Sequence, residues 1–310
     1  MLKRILSTLL SALLGAGMLL PASAATTPVL SGETNDYTST CEWLDEVFVY
    51  DGQLGADYSS TSTTFRVWAP VATNITLKRY STGSDDEDGA MSLGDYQMTK
   101  NDSTGVWSVT VDGDLVNTYY TYEITTPDVM NKNPATHETQ DIYSYAVGVN
   151  GNRSMVVDFK NTNPDGWEND KHVLLKNPTD SFVWEIHIKD FSYDPSSGVT
   201  EKNRGKYLAF TETGTTVNGK GGMSTCIDYL KNLGVTTVQI NPFNDFGSID
   251  ERDSESKFNW GYDPKNYSVP EGSYSTNPYD GNVRIKECKQ MIQALHNAGI
   301  SVVMDALSTT

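Results

Sequence analysis

The chain of 310 residues changes its hydrophobic periodicity near residue 182. Between about residues 47 and 157, short segments alternate apolar and polar positions, and turn residues such as Asp112-Gly113 and Asn150-Gly151 separate them. Segments of this length, spacing and alternation predict the strands of an all-β sandwich. The predicted strands are 64–70, 74–80, 105–111, 118–124 and 154–159.

After residue 182, near-continuous apolar segments alternate with helical stripes. Buried strands are predicted at 182–192, 235–243 and 300–307, and helices at 222–234 and 280–299, each closed by a glycine; Met223, Ile227, Leu230 and Leu233 form the apolar stripe of the first helix. This order predicts the start of a parallel α/β sheet.

A (β/α)8 barrel and an open doubly wound sheet both begin in this way. No glycine-rich phosphate loop follows any of the strands, and the loop after the second strand is long and aromatic, which favours the barrel. The residues after 181 suffice for three of its eight strands, so we expect an incomplete barrel.

The N-terminus has the pattern of a signal peptide. Lys3 and Arg4 precede an apolar run at 5–20 that is short for a membrane span, and small residues at 22–24 follow. We expect cleavage near Ala24 or Ala25 and secretion. The predicted organisation is a signal peptide (1–25), a flexible leader (26–44), a β-sandwich module (45–160), a linker (161–181) and the barrel part (182–310).

Charge and cysteine content exclude several classes of function. The formal net charge is −17, from 40 acidic and 23 basic residues. Such a surface disfavours binding to nucleic acid and to anionic membranes, both of which need clusters of Lys and Arg. The three cysteines, Cys41, Cys226 and Cys288, have no metal-ligand spacing, and no metal site is predicted.

The loop FNWGYDP at 258–264 is the strongest candidate for chemistry. Tyr262 offers a ring face for the C–H face of a sugar together with a hydroxyl group, and the amide of Asn259 can both donate to and accept from sugar hydroxyls. Such a loop can also simply pack on itself, and composition alone favours that alternative.

The segment that begins at Asn259 and ends at Asp305 resembles type I pullulanases of glycoside hydrolase family 13, although that family typically has Tyr where this chain has Phe258. Residues 185–192 and 234–251 resemble the first two barrel strands of the family, and 64–70 and 105–111 resemble its N-terminal immunoglobulin-like module, of the family 48 carbohydrate-binding type.

The resemblance implies a secreted enzyme that hydrolyses α-1,6 bonds in pullulan, amylopectin and limit dextrins with retention of configuration. It implies that Tyr262, Asn259, Trp260 and Asp305 bind the α-glucan. It implies no required cofactor, although calcium is common in the family.

The resemblance implies no catalytic residue within this chain. The family places its nucleophile and general acid near the ends of the fourth and fifth strands, and the match stops at Asp305, where ALSTT follows at 306–310. We therefore expect this chain to be inactive alone. The alternatives are a non-catalytic secreted α-glucan-binding protein and another family 13 debranching or branching enzyme. His187 is expected to serve packing rather than chemistry.

Overall fold

The computed structural model describes residues 37–127, 134–255 and 257–307. It begins with helix α1, Tyr37–Val47. The predicted flexible leader is therefore wrong for residues 37–44, where a helix free of glycine and proline forms; it ends next to Phe48, whose ring lies edge-on 5.8 Å from that of Trp43. The predicted signal peptide and residues 26–36 lie outside the described residues.

The next part of the chain is a sandwich of two antiparallel sheets, as predicted. One sheet has the order β1-β2-β6-β5 and the other β4-β3-β7-β8, with β9 paired to β7. The strands are β1 Gly55–Tyr58, β2 Ser62–Trp68, β3 Asn74–Tyr80, β4 Ser92–Gln97, β5 Thr99–Lys100, β6 Val106–Asp112, β7 Tyr119–Pro127, β8 Pro134–Thr139 and β9 Ser154–Met155.

Strict alternation in β2 explains why this module needs two sheets. Every second side chain of β2 is buried, so one face of the strand belongs to the core. The core between the sheets includes Phe65, Leu77, Trp107 and Tyr120, and the rings of Phe65 and Tyr120 meet edge-on at 4.8 Å. Trp107 is thus a core residue.

A carboxylate on β8 makes the stability of this module depend on pH. Glu138 accepts hydrogen bonds from Lys78 (2.8 Å), Tyr80 (2.5 Å) and Thr121 (2.7 Å). Partial burial by itself would raise the pKa of Glu138, but these three donors together lower it to about 2. A lowered carboxyl pKa stabilises the fold at neutral pH, and this contribution is lost as the pH falls through the folded-state value.

We expect Glu138→Gln to lower the free energy of unfolding at pH 7, and the difference from the parent chain to shrink between pH 4.5 and pH 2, as the parent loses the carboxylate. Urea unfolding at pH 7, 4.5 and 2.5, followed by circular dichroism, measures this. Asp102→Asn, at an exposed turn of the same module, serves as the control. A difference that does not change with pH would contradict the role of Glu138.

The second part of the chain contains three parallel strands in the order β10-β11-β14. They are β10 Val183–Ile186, β11 Thr237–Ile240 and β14 Ser301–Met304, and helices α2 Cys226–Leu233 and α3 Gly281–Asn297 connect them. In register, Ile186 of β10 lies beside Ile240 of β11, which lies beside Met304 of β14. The predicted α/β alternation is confirmed.

In this second part of the chain, the predicted strands and helices are longer than the observed ones. The first strand ends at Ile186 because the chain turns: Phe191 donates its N–H to the carbonyl of His187 at 3.0 Å. Helix α2 begins at Cys226, so Met223, predicted to face inward, precedes the helix and is 74% exposed. The C-terminal end of helix α2 is as predicted, with Gly234 in the left-handed conformation.

The sandwich module contacts the barrel part through the turn at 148–152. The backbone N–H of Asn150 donates to Glu251 (2.7 Å), and the N–H of Glu251 donates to the side chain of Asn150 (2.8 Å). Gly151 has a φ of +63°, and a β-carbon there would lie 2.3 Å from an oxygen of Asp245. Glycine is therefore required for this close approach.

The predicted linker 161–181 packs along α3. Lys289 of α3 donates to Thr162 (2.9 Å) and Asn163 (2.7 Å), and its ammonium group lies 5.5 Å from the ring centre of Trp167. The helices in the described part of the chain do not combine the length and apolar character that a bilayer crossing needs.

Candidate functional site

The candidate site lies at the carboxyl ends of the three parallel strands. Asp305 directly follows β14, and its N–H donates to the carbonyl of Ile240 at 2.8 Å. Two short antiparallel strands, β12 Asn244–Phe246 and β13 Pro264–Pro270, follow β11 and hold the ends of the loop 247–263. This loop contains most of the FNWGYDP motif. In barrels of this kind, the carboxyl ends of the strands carry the active site.

The structure brings Tyr262 and Asp305 together. The hydroxyl of Tyr262 donates to Asp305 Oδ2 at 2.5 Å, and the tyrosine remains 42% exposed. The hydrogen bond to this carboxylate is the largest cause that raises the pKa of Tyr262, to about 12. The phenol is thus protonated at neutral pH, and its ring is held at the open surface with a fixed orientation.

Trp260 supplies a second exposed ring. It is 61% exposed, and it meets the exposed ring of Phe258 edge-on at 5.4 Å. Two residues later, Tyr262 adds an exposed ring bonded to Asp305, so this stretch of the loop has an exposed apolar surface and a neighbouring carboxylate. Such a surface suits a sugar, which has apolar C–H faces and hydroxyl groups at its rim.

The side chain of Asn259 makes hydrogen bonds within its own loop. Its Nδ2 donates to Ser248 Oγ (3.0 Å) and Asp263 Oδ1 (2.8 Å), and its Oδ1 accepts from the N–H of Gly261 (2.7 Å). The amide therefore organises the loop from within. Both N–H groups of the amide are used, so the predicted bond to sugar would have a sugar hydroxyl donate to Oδ1, or would replace one of the two bonds of Nδ2.

Gly261 fixes the path of the loop. Its φ is +88°, and a β-carbon at this position would lie 2.0 Å from the carbonyl oxygen of Pro242. The loop thus lies directly against the chain that leaves β11. This contact places Tyr262, the next residue, over the strand ends.

A buried charged cluster, which sequence reasoning missed, supports the hairpin below the loop. It consists of the carboxylates of Asp245 (on β12), Glu251 and Glu271, together with Arg284, which lies on α3. The guanidinium of Arg284 donates to Asp245 Oδ1 and to both oxygens of Glu251, each at 2.9 Å. All four side chains are buried, and burial raises the pKa of Glu271 well above its usual range and that of Asp245 to about 6.

The resemblance implies that calcium is common in the family, and this cluster holds the carboxylates that such an ion would need. Among the described residues, Asp245, Glu251 and Glu271 form the one group of three carboxylates close enough to share a cation. Calcium takes six to eight oxygen ligands. Here Arg284 already supplies positive charge, and the N–H groups of Phe246 (3.0 Å) and Ser273 (2.7 Å) donate to Glu271. These carboxylates therefore do not fit a calcium site.

Comparison with protein families divides the chain as the fold does. Residues 53–146 match carbohydrate-binding module 48 (isoamylase N-terminal domain), and residues 155–309 match the catalytic domain of α-amylase. The second match covers half of the chain. These ranges correspond to the sandwich and to the part that carries the parallel strands.

Among curated proteins, the pullulanase of Bacillus subtilis (strain 168) is 40% identical over 85% of this chain and 34% of its own length. Isoamylase 3 of Oryza sativa subsp. japonica is 24% identical over 82% of the chain. The chain thus spans about a third of the length of such relatives.

Solved structures agree. A pullulanase from Paenibacillus barengoltzii in complex with maltohexaose and α-cyclodextrin has a TM-score of 0.76 and 42% identity, over 84% of this chain and 38% of its own. A pullulanase from Bacillus acidopullulyticus has a TM-score of 0.75 and 44% identity, over 84% of this chain and 30% of its own. The chain belongs to the α-amylase family of glycoside hydrolases, as a relative of the pullulanases that carries a family 48 carbohydrate-binding module.

Proposed function

We propose that this chain forms the substrate-binding side of a debranching hydrolase that cleaves α-1,6 bonds in pullulan, amylopectin and limit dextrins with retention. The observation that carries the proposal is the hydrogen-bonded pair of Tyr262 and Asp305 at the carboxyl ends of the strands. The complexes of related pullulanases with malto-oligosaccharides support an α-glucan as the ligand. Higher identity to pullulanases than to an isoamylase favours the former.

Tyr262 and Asp305 have complementary tasks in binding a sugar. The ring of Tyr262 packs against one sugar face, and Asp305 accepts hydrogen bonds from sugar hydroxyls. Because Asp305 already holds the tyrosine hydroxyl, the ring loses little rotational freedom when a sugar binds, which preserves affinity. Trp260 extends the apolar surface to a neighbouring sugar unit.

Retaining hydrolysis needs a carboxylate nucleophile and a carboxylic acid about 5 Å apart across the bond. We assign neither role to a described residue and propose that the 310-residue chain binds α-glucan without cleaving it. No cofactor takes part in this chemistry. The signal-peptide pattern at 1–25 supports the further proposal that the protein is secreted.

The test is the affinity of the 310-residue chain for pullulan, measured by affinity gel electrophoresis with and without the polysaccharide. Burying a large apolar side chain contributes about 1.5–3 kcal/mol, so Tyr262→Ala is expected to weaken binding at least about tenfold. Tyr229→Ala is the matched control, since Tyr229 is a similarly exposed tyrosine on α2, away from the strand ends.

Two results would contradict the proposal. Equal binding by Tyr262→Ala and the parent chain would remove the loop as the binding site. Release of maltotriose from pullulan by the 310-residue chain would show that it holds its own catalytic pair.

A further inference from the structure

The turn that follows β10 contacts the loop 247–263, the proposed sugar-binding loop, from below. His187 is only 8% exposed and lies under the loop with its imidazole Nε2 2.8 Å from the carbonyl oxygen of Asn259. Two residues later, Lys189 donates to the carbonyls of Ser254 (2.8 Å) and Lys257 (3.0 Å). One short turn therefore holds three backbone carbonyls of the loop.

The contacts of His187 define its protonation state. The carbonyl of Asn259 can only accept, so Nε2 must carry the proton. Nδ1 faces the backbone N–H of Asp190 at 3.3 Å and accepts from it, so Nδ1 carries no proton. The two contacts together require the neutral ring with its proton on Nε2.

Neighbouring rings prevent the imidazole from turning. Phe258 lies over it with ring centres 4.5 Å apart, and the hydroxyl of Tyr274 lies 3.1 Å from Nε2. The peptide group held by His187 joins Asn259 to Trp260, one of the exposed rings of the site. A movement of the imidazole would therefore move the loop at its aromatic surface.

We propose that His187 is a positioning residue for the sugar-binding loop and that protonation of its ring at acid pH releases the loop. The inference rests on the proposed function in so far as the loop binds α-glucan. The structural coupling between the ring and the loop is independent of any ligand.

Protonation conflicts with the observed geometry at one atom. A proton on Nδ1 would point at the N–H of Asp190, so two donors would face each other. The carboxylate of Asp190, 3.9 Å from Nδ1, is close enough to become the new acceptor if the turn rearranges. That rearrangement would also shift Lys189, which holds the loop at two further points.

The charges around the ring oppose each other. Burial has the largest influence and lowers the pKa of His187 below its usual value of 6.5; the hydrogen bond to Asn259 and the charge of Asp190 act to raise it, and the charge of Lys189 acts to lower it. Tyr274 contacts the ring from the neighbouring loop, and the other charged or titratable groups that line the adjoining pocket are Tyr193, Arg204, Lys206 and Glu255. The ring is therefore neutral at pH 7, and the loop is held at neutral pH and released as the pH falls.

The direct test uses the chain labelled uniformly with ¹⁵N and ¹³C, in which NMR follows the rings of the four histidines and the backbone amide of Trp260 between pH 7.5 and 4.5. We expect the His187 ring to show the tautomer with the proton on Nε2 and to titrate below pH 6.5. The backbone amide signal of Trp260 is expected to shift with the same midpoint. A ring with its proton on Nδ1, or a Trp260 signal that does not follow the ring, would overturn the inference. Neither readout needs a glucan.

Two substitutions separate positioning from simple packing. Gln keeps an N–H donor near the place of Nε2 but does not titrate, whereas Leu fills space without a donor. We expect His187→Gln to retain pullulan affinity at pH 7 and to lose the weakening at acid pH. His187→Leu is expected to bind pullulan about tenfold more weakly than the parent chain does at pH 7, and to remain weak at acid pH, because the carbonyl of Asn259 loses its buried donor.

His137→Gln, at an exposed histidine of β8, is the control and is expected to keep the parent pH profile. Equal losses in His187→Gln and His187→Leu, with an unchanged pH profile, would show a packing role alone. If the parent chain shows the NMR coupling but does not bind pullulan, the proposed function fails and the coupling stands.

Discussion

Arg284→Leu is expected to destabilise the chain by about 3–5 kcal/mol at pH 7, because it leaves three buried carboxylates without their buried cation. This is a large part of the stability of an ordinary domain. Denaturant unfolding, followed by circular dichroism, measures the change. Arg66→Leu is the control, since the exposed pair of Arg66 and Asp57 is expected to contribute at most about 1 kcal/mol.

The pH dependence identifies the cause of this loss. Asp245 and Glu271 have folded-state pKa values that burial raises above those of the unfolded chain. In the range between the two values the folded state holds more protons, so its stability rises as the pH falls. We expect the penalty of Arg284→Leu to shrink from pH 7 to pH 5, because the carboxylates become neutral. A penalty below about 1 kcal/mol, or one that is equal at both pH values, would contradict the role of Arg284.

Gly261→Ala is expected to disrupt the loop 247–263 more than any other single methyl addition there. The new carbon would lie 2.0 Å from the carbonyl oxygen of Pro242, and the φ of +88° already disfavours any side chain. We expect the free energy of unfolding to fall by about 1–3 kcal/mol. We expect pullulan affinity to fall by a larger fraction of its parent value, because the loop must move away from β11 and take Tyr262 away from Asp305.

Gly299→Ala separates the effect of the positive φ from the effect of the collision with Pro242. Gly299 follows α3 with a φ of +76°, and a β-carbon there would meet nothing within 4 Å. It therefore carries the cost of backbone conformation without the collision. Denaturant unfolding and affinity electrophoresis of both variants provide the comparison. Equal effects of the two substitutions would show that the contact with Pro242 has no special importance.

The fold was predictable where burial alone decides it. Alternation at 64–70 predicted a strand with one buried face, and the apolar segment near Val238 predicted a buried parallel strand. The ends of strands were harder to predict. The strand predicted to end at residue 192 ends at Ile186, because the N–H of Phe191 bonds back to the carbonyl of His187 and forms a turn. Apolar residues continue through that turn, so hydrophobicity gave no signal for it.

The site was predictable in its exposed rings and less so in its supports. Tyr262 and Asp305 are 43 positions apart, and the family pattern alone predicts that both lie in one cleft. The amide of Asn259 bonds within its own loop, where hydrophobic periodicity gives no signal, and the ion pairs of Arg284 depend on partners 39 and 33 positions away. An arginine on an amphipathic helix ordinarily faces water, and its periodic position gives no sign of three acidic partners.

The turn at 148–152 has a consequence for the exchange of modules between relatives. Gly148 supplies a carbonyl to Arg284, and Asn150 supplies an N–H to Glu251, so the polar interior of the barrel part is completed by atoms of the sandwich side. A graft of a foreign sandwich onto this barrel part would therefore have to reproduce a backbone shape as well as a surface. Recombination between such proteins is expected to succeed when the junction lies before residue 148 and to fail when it separates this turn from Arg284.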